Sequence, residues 1–128
     1  MLTLKNAAAL VLLSHSIWAS PTESMESEKR QSCPNIHVFG ARETTVSAGY
    51  GSSATVVDLI LNSHSGATSE AINYPACGGQ SSCGGISYAN SVVGGINAVV
   101  TAVNNFNSEC PSTELVLVGY SQVSSTPK

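Results

Sequence analysis

The feature that most restricts the fold is a short run near the end of the chain, Glu114-Leu-Val-Leu-Val-Gly119. Four successive aliphatic residues without polar alternation suit a strand buried on both faces, in the middle of a parallel sheet. Parallel neighbours cannot be joined by hairpins, so helical crossovers must lie between the strands. The upstream sequence supplies them. Residues 35–39 (NIHVF) predict a first strand closed by Gly40, and Val56, Val57, Ile60 and Leu61 recur at helical spacing. That helix is expected to be capped by Ser52 or Ser53 and to end near Asn62. Residues 70–76 (EAINYPA) predict a second strand stopped by Pro75. Val92, Ile96, Val99, Val100, Val103 and Phe106 then form one apolar stripe of a helix over 87–107. Gly94 and Gly95 each weaken that helix by about 1 kcal/mol. The order β-α-β-α-β implies a doubly wound α/β sheet.

The first 19 residues, with one early cation, Lys5, a short apolar run over 7–13 and a small residue at Ala19, read as a secretory signal peptide. The run falls short of the roughly 20 residues that span a bilayer, and no later segment is expected to be long enough, so no membrane role is expected. Residues 20–30 are polar, end in Lys29-Arg30 and read as a pro-segment whose removal would expose Gln31. All four cysteines, Cys33, Cys77, Cys83 and Cys110, follow it. An even count in a secreted chain predicts two disulfides, with three pairings open. Zinc is disfavoured because there is no C-x-x-C and neither His37 nor His64 stands at ligand spacing. The formal charge is −3, and the only cations are Lys5, Lys29, Arg30, Arg42 and Lys128, which excludes a nucleic-acid footprint. No N-x-[ST] acceptor for N-glycans occurs.

After the apolar run comes Gly119-Tyr120-Ser121-Gln122, four positions of a G-x-S-x-G nucleophile elbow. A serine at such a strand-to-helix turn is held in a strained backbone conformation, and the next residue offers its N–H to an oxyanion. With CPNIHVFGARETT, the Gly49-Tyr50-Gly51 triplet, INYPACGGQSSCGG and CPSTELVLVGYSQ, residues 33–122 resemble the first half of the secreted acetylxylan esterases of the cutinase-like family. The resemblance implies a partial α/β-hydrolase fold, a three-layer sandwich without its C-terminal strands, over residues 31–122. It pairs Cys33 with Cys110 and Cys77 with Cys83. Ser121 becomes the nucleophile, and the Gln122 N–H and Thr44 hold the oxyanion, with Thr45 the alternative to Thr44. No metal or organic cofactor is implied. The implied substrate is acetylated xylan, with cutin or another ester as the alternative, and the implied state at full length is a monomer. A Cys33–Cys110 bridge would close a long loop, worth about 4 kcal/mol on chain-entropy grounds.

The sequence departs from the family after Gln122. Val123 stands where the elbow calls for glycine, and residues 123–128 (VSSTPK) contain no acid or histidine. In α/β-hydrolases both follow the serine. Upstream, Asp58 reads as a surface helix charge, His64 as a loop residue and His37 as a strand residue. The expectation is a chain that is inactive as it stands. Its last strand would form an apolar edge prone to aggregation, and too few residues remain for the post-serine helix. Gln-Val-Ser can be encoded CAG-GTA-AGT, an intron donor sequence, which would make 123–128 translated intron. A non-catalytic polysaccharide-binding module is the other reading. It lacks an aromatic platform, since Tyr50, Tyr74, Tyr88 and Tyr120 are scattered.

Overall fold

The computed structural model describes residues 32–121. The signal-peptide and pro-segment readings, Gln122 and the 123–128 tail lie outside the described residues. The architecture belongs to a compact unit that begins at Pro34. It contains β1 (Ile36–Ala41), α1 (Ala54–Ser63), β2 (Thr68–Ala71), α2 (Tyr88–Glu109) and β3 (Glu114–Gly119), with short 3-10 turns at Gly51–Ser53 and Ser81–Cys83. The strands form one parallel sheet in the order β2-β1-β3.

Alternation along β1 sorts the helices onto opposite faces. Phe39 and Ala41 join Ile72, Tyr74 and Ala76 in a core that Ala98, Val99, Ala102, Val103 and Phe106 of α2 cover. On the other face Val38 and the α1 residue Val57 are both 0% exposed. Gly40 also faces α1, where a Cβ would lie 3.0 Å from Val57 Cγ2 and only 2.5 Å from Tyr50 Cδ1. The result is the expected three-layer, partial α/β-hydrolase arrangement.

Several local expectations are corrected. Gly40 does not close β1 but lies inside it, because glycine alone lets Tyr50 and Val57 approach the strand. β2 occupies Thr68–Ala71 rather than 70–76. It starts earlier because polar Thr68 and Ser69 pair with His37 and Val38, and the Thr68 hydroxyl bonds His37 Nδ1 at 2.6 Å. Its ladder continues only as far as the Ile72 N–H to Gly40 O bond, and the following carbonyls turn to Arg42. Neither Ser52 nor Ser53 caps α1 through its side chain. The Ser52 hydroxyl donates to Glu43 and that of Ser53 to the Tyr50 carbonyl. α2 is capped by Ser87, whose hydroxyl accepts from the Asn90 N–H, and it runs on to Glu109. Its buried face is rotated from the predicted stripe. Ser91 and Gly95 are buried, whereas Ile96 and Val100 are exposed.

The segment 81–109 contains an 18-residue window with a mean hydropathy of 1.3, long and apolar enough by length and composition to cross a membrane, contrary to expectation. Both ends of α2 lead into strands of one parallel sheet, which makes it a crossover helix. β1 is the central strand, and β3 lies beside it with no further strand on its other side among the described residues.

Candidate active site

Loops that follow parallel strands gather at one end of the sheet, and Ala41 and Gly119 are register partners at the ends of β1 and β3. Thr44, three residues past Ala41, and Ser121, two past Gly119, therefore leave the sheet at the same end. Ser121 is exposed and has φ +62°, a left-handed conformation rarely adopted outside glycine. Holding it there costs of order 1–3 kcal/mol.

The loop bearing Thr44 is fastened by residues that sequence reasoning did not single out. Arg42, 7% exposed, donates from Nε to the Val46 carbonyl at 2.8 Å and from Nη2 to the carbonyls of Tyr74 and Pro75 at 2.6 and 3.4 Å. Its guanidinium lies 5.1 Å from the Tyr74 ring centroid, and the Tyr74 hydroxyl donates back to the Arg42 carbonyl. Burial pushes the Tyr74 phenol up, against the opposing charge of Arg42. Thr45 donates its N–H to Ala76 O at 2.7 Å, and both residues have positive φ, +69° and +51°. Segments 42–46 and 74–77 are thus laced together. Thr44 packs its methyl against Gly78, where a Cβ would lie 3.2 Å away.

Two further ties brace this end. Glu43 accepts from the Ser52 hydroxyl and N–H at 2.6 and 2.8 Å. These hydrogen bonds, the side-chain one first, hold its carboxyl below the usual range. Cys77 is bonded to Cys83 and donates its N–H to Ser91 Oγ at 2.8 Å. Cys33 and Cys110 are disulfide-bonded as well. Nothing in composition or periodicity marks Arg42 or Tyr74. The only clue is a lone arginine directly after a buried strand.

The upstream acid and histidines are not gathered at Ser121. Asp58 is an exposed residue of α1. His64 follows the last turn of α1 and shares a small cavity with Asn35 and Ile36, at the start of β1. His37, near the start of β1, is buried, with its ring stacked on Phe106 at 3.9 Å. Gln122 lies outside the described residues. No cluster of three or more His, Cys, Asp or Glu side chains suited to a metal occurs among the described residues.

Residues 32–126 match the family model described as Cutinase. The chain belongs to the cutinase family. It is 68% identical over 114 residues to an acetylxylan esterase of Hypocrea jecorina and 72% identical over 94 residues to Cutinase 11 of Verticillium dahliae. These stretches cover 88% and 73% of this chain but only 37% and 32% of the two relatives. Among solved structures it is similar to the catalytic core domain of acetyl xylan esterase from Trichoderma reesei, with 76% identity and a TM-score of 0.69. That match covers 70% of this chain and 44% of the other. The chain therefore spans well under half the length of these relatives, and within that span the family's fold is the one seen here.

Proposed function

We propose that this chain carries the nucleophile-bearing half of a secreted serine ester hydrolase that removes acetyl groups from xylan. The observation that carries the reading is Ser121, in a left-handed backbone conformation directly after a parallel strand, at the sheet end shared with Thr44. There the Ser121 hydroxyl attacks the acetyl carbonyl. The Thr44 hydroxyl and the N–H of Gln122 stabilise the tetrahedral oxyanion, which collapses by breaking the ester C–O bond and expelling the protonated xylan hydroxyl. Water then releases acetate from the acyl-enzyme and restores the serine hydroxyl. A histidine must take the serine's proton and an acid must orient that histidine. His37, His64 and Asp58 do not stand at that end, so those roles fall to residues of the complete protein other than these. The similarity to acetylxylan esterases at 68–70% identity supports acetylated xylan as substrate. A Cys33–Cys110 bridge, joining the segments that precede β1 and β3, belongs to the same reading.

The test compares acetate release from acetylated xylan by the protein at the length of its relatives, by its Ser121→Ala variant and by the 128-residue chain. The full protein is expected to turn over, with the other two at background. Undiminished activity in Ser121→Ala would refute the assignment. The match to Cutinase 11 favours a second substrate reading, longer acyl esters. A 4-nitrophenyl ester series separates the two, since an acetylxylan esterase loses rate as the acyl chain lengthens.

A further inference from the structure

Away from Ser121, an open groove of about 590 Å³ runs between the β2 side of the sheet and the second half of α2. Asn97, Thr101, Asn105 and Glu109 line its helical wall, and Glu70 and Asn73 line the strand side. The four helical residues are spaced at i, i+4, i+8 and i+12. They therefore form a single row with a polar group about every 6 Å, a step comparable to one pyranose ring. Asparagine offers both donors and acceptors, threonine does the same through one hydroxyl, and carboxylates accept. No lysine or arginine lines the groove, and Glu70 and Glu109 do, so its charge disfavours a phosphate or an acidic chain. Ala98, Ala102 and Phe106 supply apolar surface between the polar groups.

A second observation lies behind the strand-side wall. His37 is 4% exposed, and its Nε2 is buried without a hydrogen-bond partner among the described residues. It faces the Glu70 carboxylate at 4.0 Å, too far for a hydrogen bond. The Nδ1–Thr68 hydroxyl bond is satisfied by either tautomer, and in the one that carries its ring proton on Nε2 that N–H is directed at Glu70. Glu70 is half exposed and reaches both the buried imidazole and the groove. A small movement of that carboxylate closes the bond to His37 while its other oxygen accepts a hydroxyl in the groove.

From this geometry we propose that the groove binds a neutral oligosaccharide chain, a non-catalytic subsite that holds polysaccharide while Ser121 works at the C-terminal end of the sheet. The proposal deepens the functional reading above, because it gives the same polymer a second hold on the molecule. Hydroxyls of successive sugars pair with the row 97, 101, 105 and 109 and with Glu70, and sugar C–H faces lie on Ala98, Ala102 and Phe106.

The probe is unsubstituted xylohexaose, which carries no ester, titrated calorimetrically into the full-length protein. The wild type is expected to bind, and Asn97→Ala/Asn105→Ala to bind at least tenfold more weakly, with unchanged circular dichroism. Glu70→Gln is expected to bind severalfold more weakly. Hydrolysis of 4-nitrophenyl acetate should be the same in all three. Absence of wild-type binding, or equal binding by the double variant, overturns the proposal, as does tighter binding of an oligogalacturonate than of xylohexaose. If binding follows the groove residues but no ester is cleaved, the esterase reading fails while the subsite stands.

Discussion

Arg42 satisfies three carbonyls from three positions of the loops around Thr44. A buried carbonyl that loses its donor costs about 1–3 kcal/mol. Arg42→Ala should therefore lower unfolding stability by about 3 kcal/mol in urea titration. Arg42→Lys, with a single ammonium that cannot reach all three oxygens, should recover only part of it. On the proposed oxyanion role of Thr44, Arg42→Lys in the full protein should also lower kcat more than it raises KM, because a displaced Thr44 would weaken transition-state stabilisation rather than ground-state binding. His37 makes a different prediction. Desolvation by burial holds its imidazole below the ordinary value of 6.5, only partly opposed by the Glu70 charge. The unfolded chain then binds the proton more readily than the folded one. The contribution to stability is complete above pH 6.5 and is lost as the pH falls through that value toward the folded pKa. Urea midpoints measured at pH 7.5 and 5.5 should differ less for His37→Phe than for the wild type.

At the scale of elements, α2 contains two adjacent glycines that helix propensity treats alike. Their surroundings differ. A Cβ at Gly94 would lie 3.4 Å from Pro75 Cδ, an ordinary contact, whereas one at Gly95 would lie 3.0 Å from Tyr74 Cδ2. Tyr74 is held through its hydroxyl by the Arg42 carbonyl and lies against the Arg42 guanidinium, so it has little room to yield. Gly94→Ala should raise stability by up to about 1 kcal/mol, the propensity gain alone, and Gly95→Ala should lower it. Thermal melts of the two variants check the sign. The pair also marks what the helix pattern conceals. Periodicity located α2 within two residues at its C-terminus, but it assigned Val100 and Ile96 to the buried face, where Ser91 and Gly95 sit instead. The rotation follows from Tyr74, whose ring requires the smallest residue opposite it.

For the whole molecule, the consequential surface is the outer side of β3. Leu117 is 56% exposed in a strand with no partner on that side among the described residues, and Val93 and Val100 of α2 are exposed too. Such an edge templates pairing between chains. The 128-residue chain should therefore elute as oligomers or precipitate at micromolar concentration. Leu117→Lys should shift size-exclusion profiles of this chain toward monomer.

The residues alone determined the alternation of strands and helices, the extent of β3 and the serine after it. Those features rest on local hydrophobic runs and on a motif whose turn geometry is encoded in four adjacent positions. The pattern places β2 too late because an edge strand of polar Thr68, Ser69 and Glu70 carries no apolar signal. Gly40 looks like a strand end in the sequence because its role is to admit Tyr50 and Val57, which are distant along the chain. Only the tertiary structure decided that Arg42 and Tyr74 clasp the Thr44 loop, that His37 and His64 stand away from Ser121, and that a polar groove flanks β2. Each depends on side chains brought together from separate segments, and no local pattern of amino acids records such a meeting.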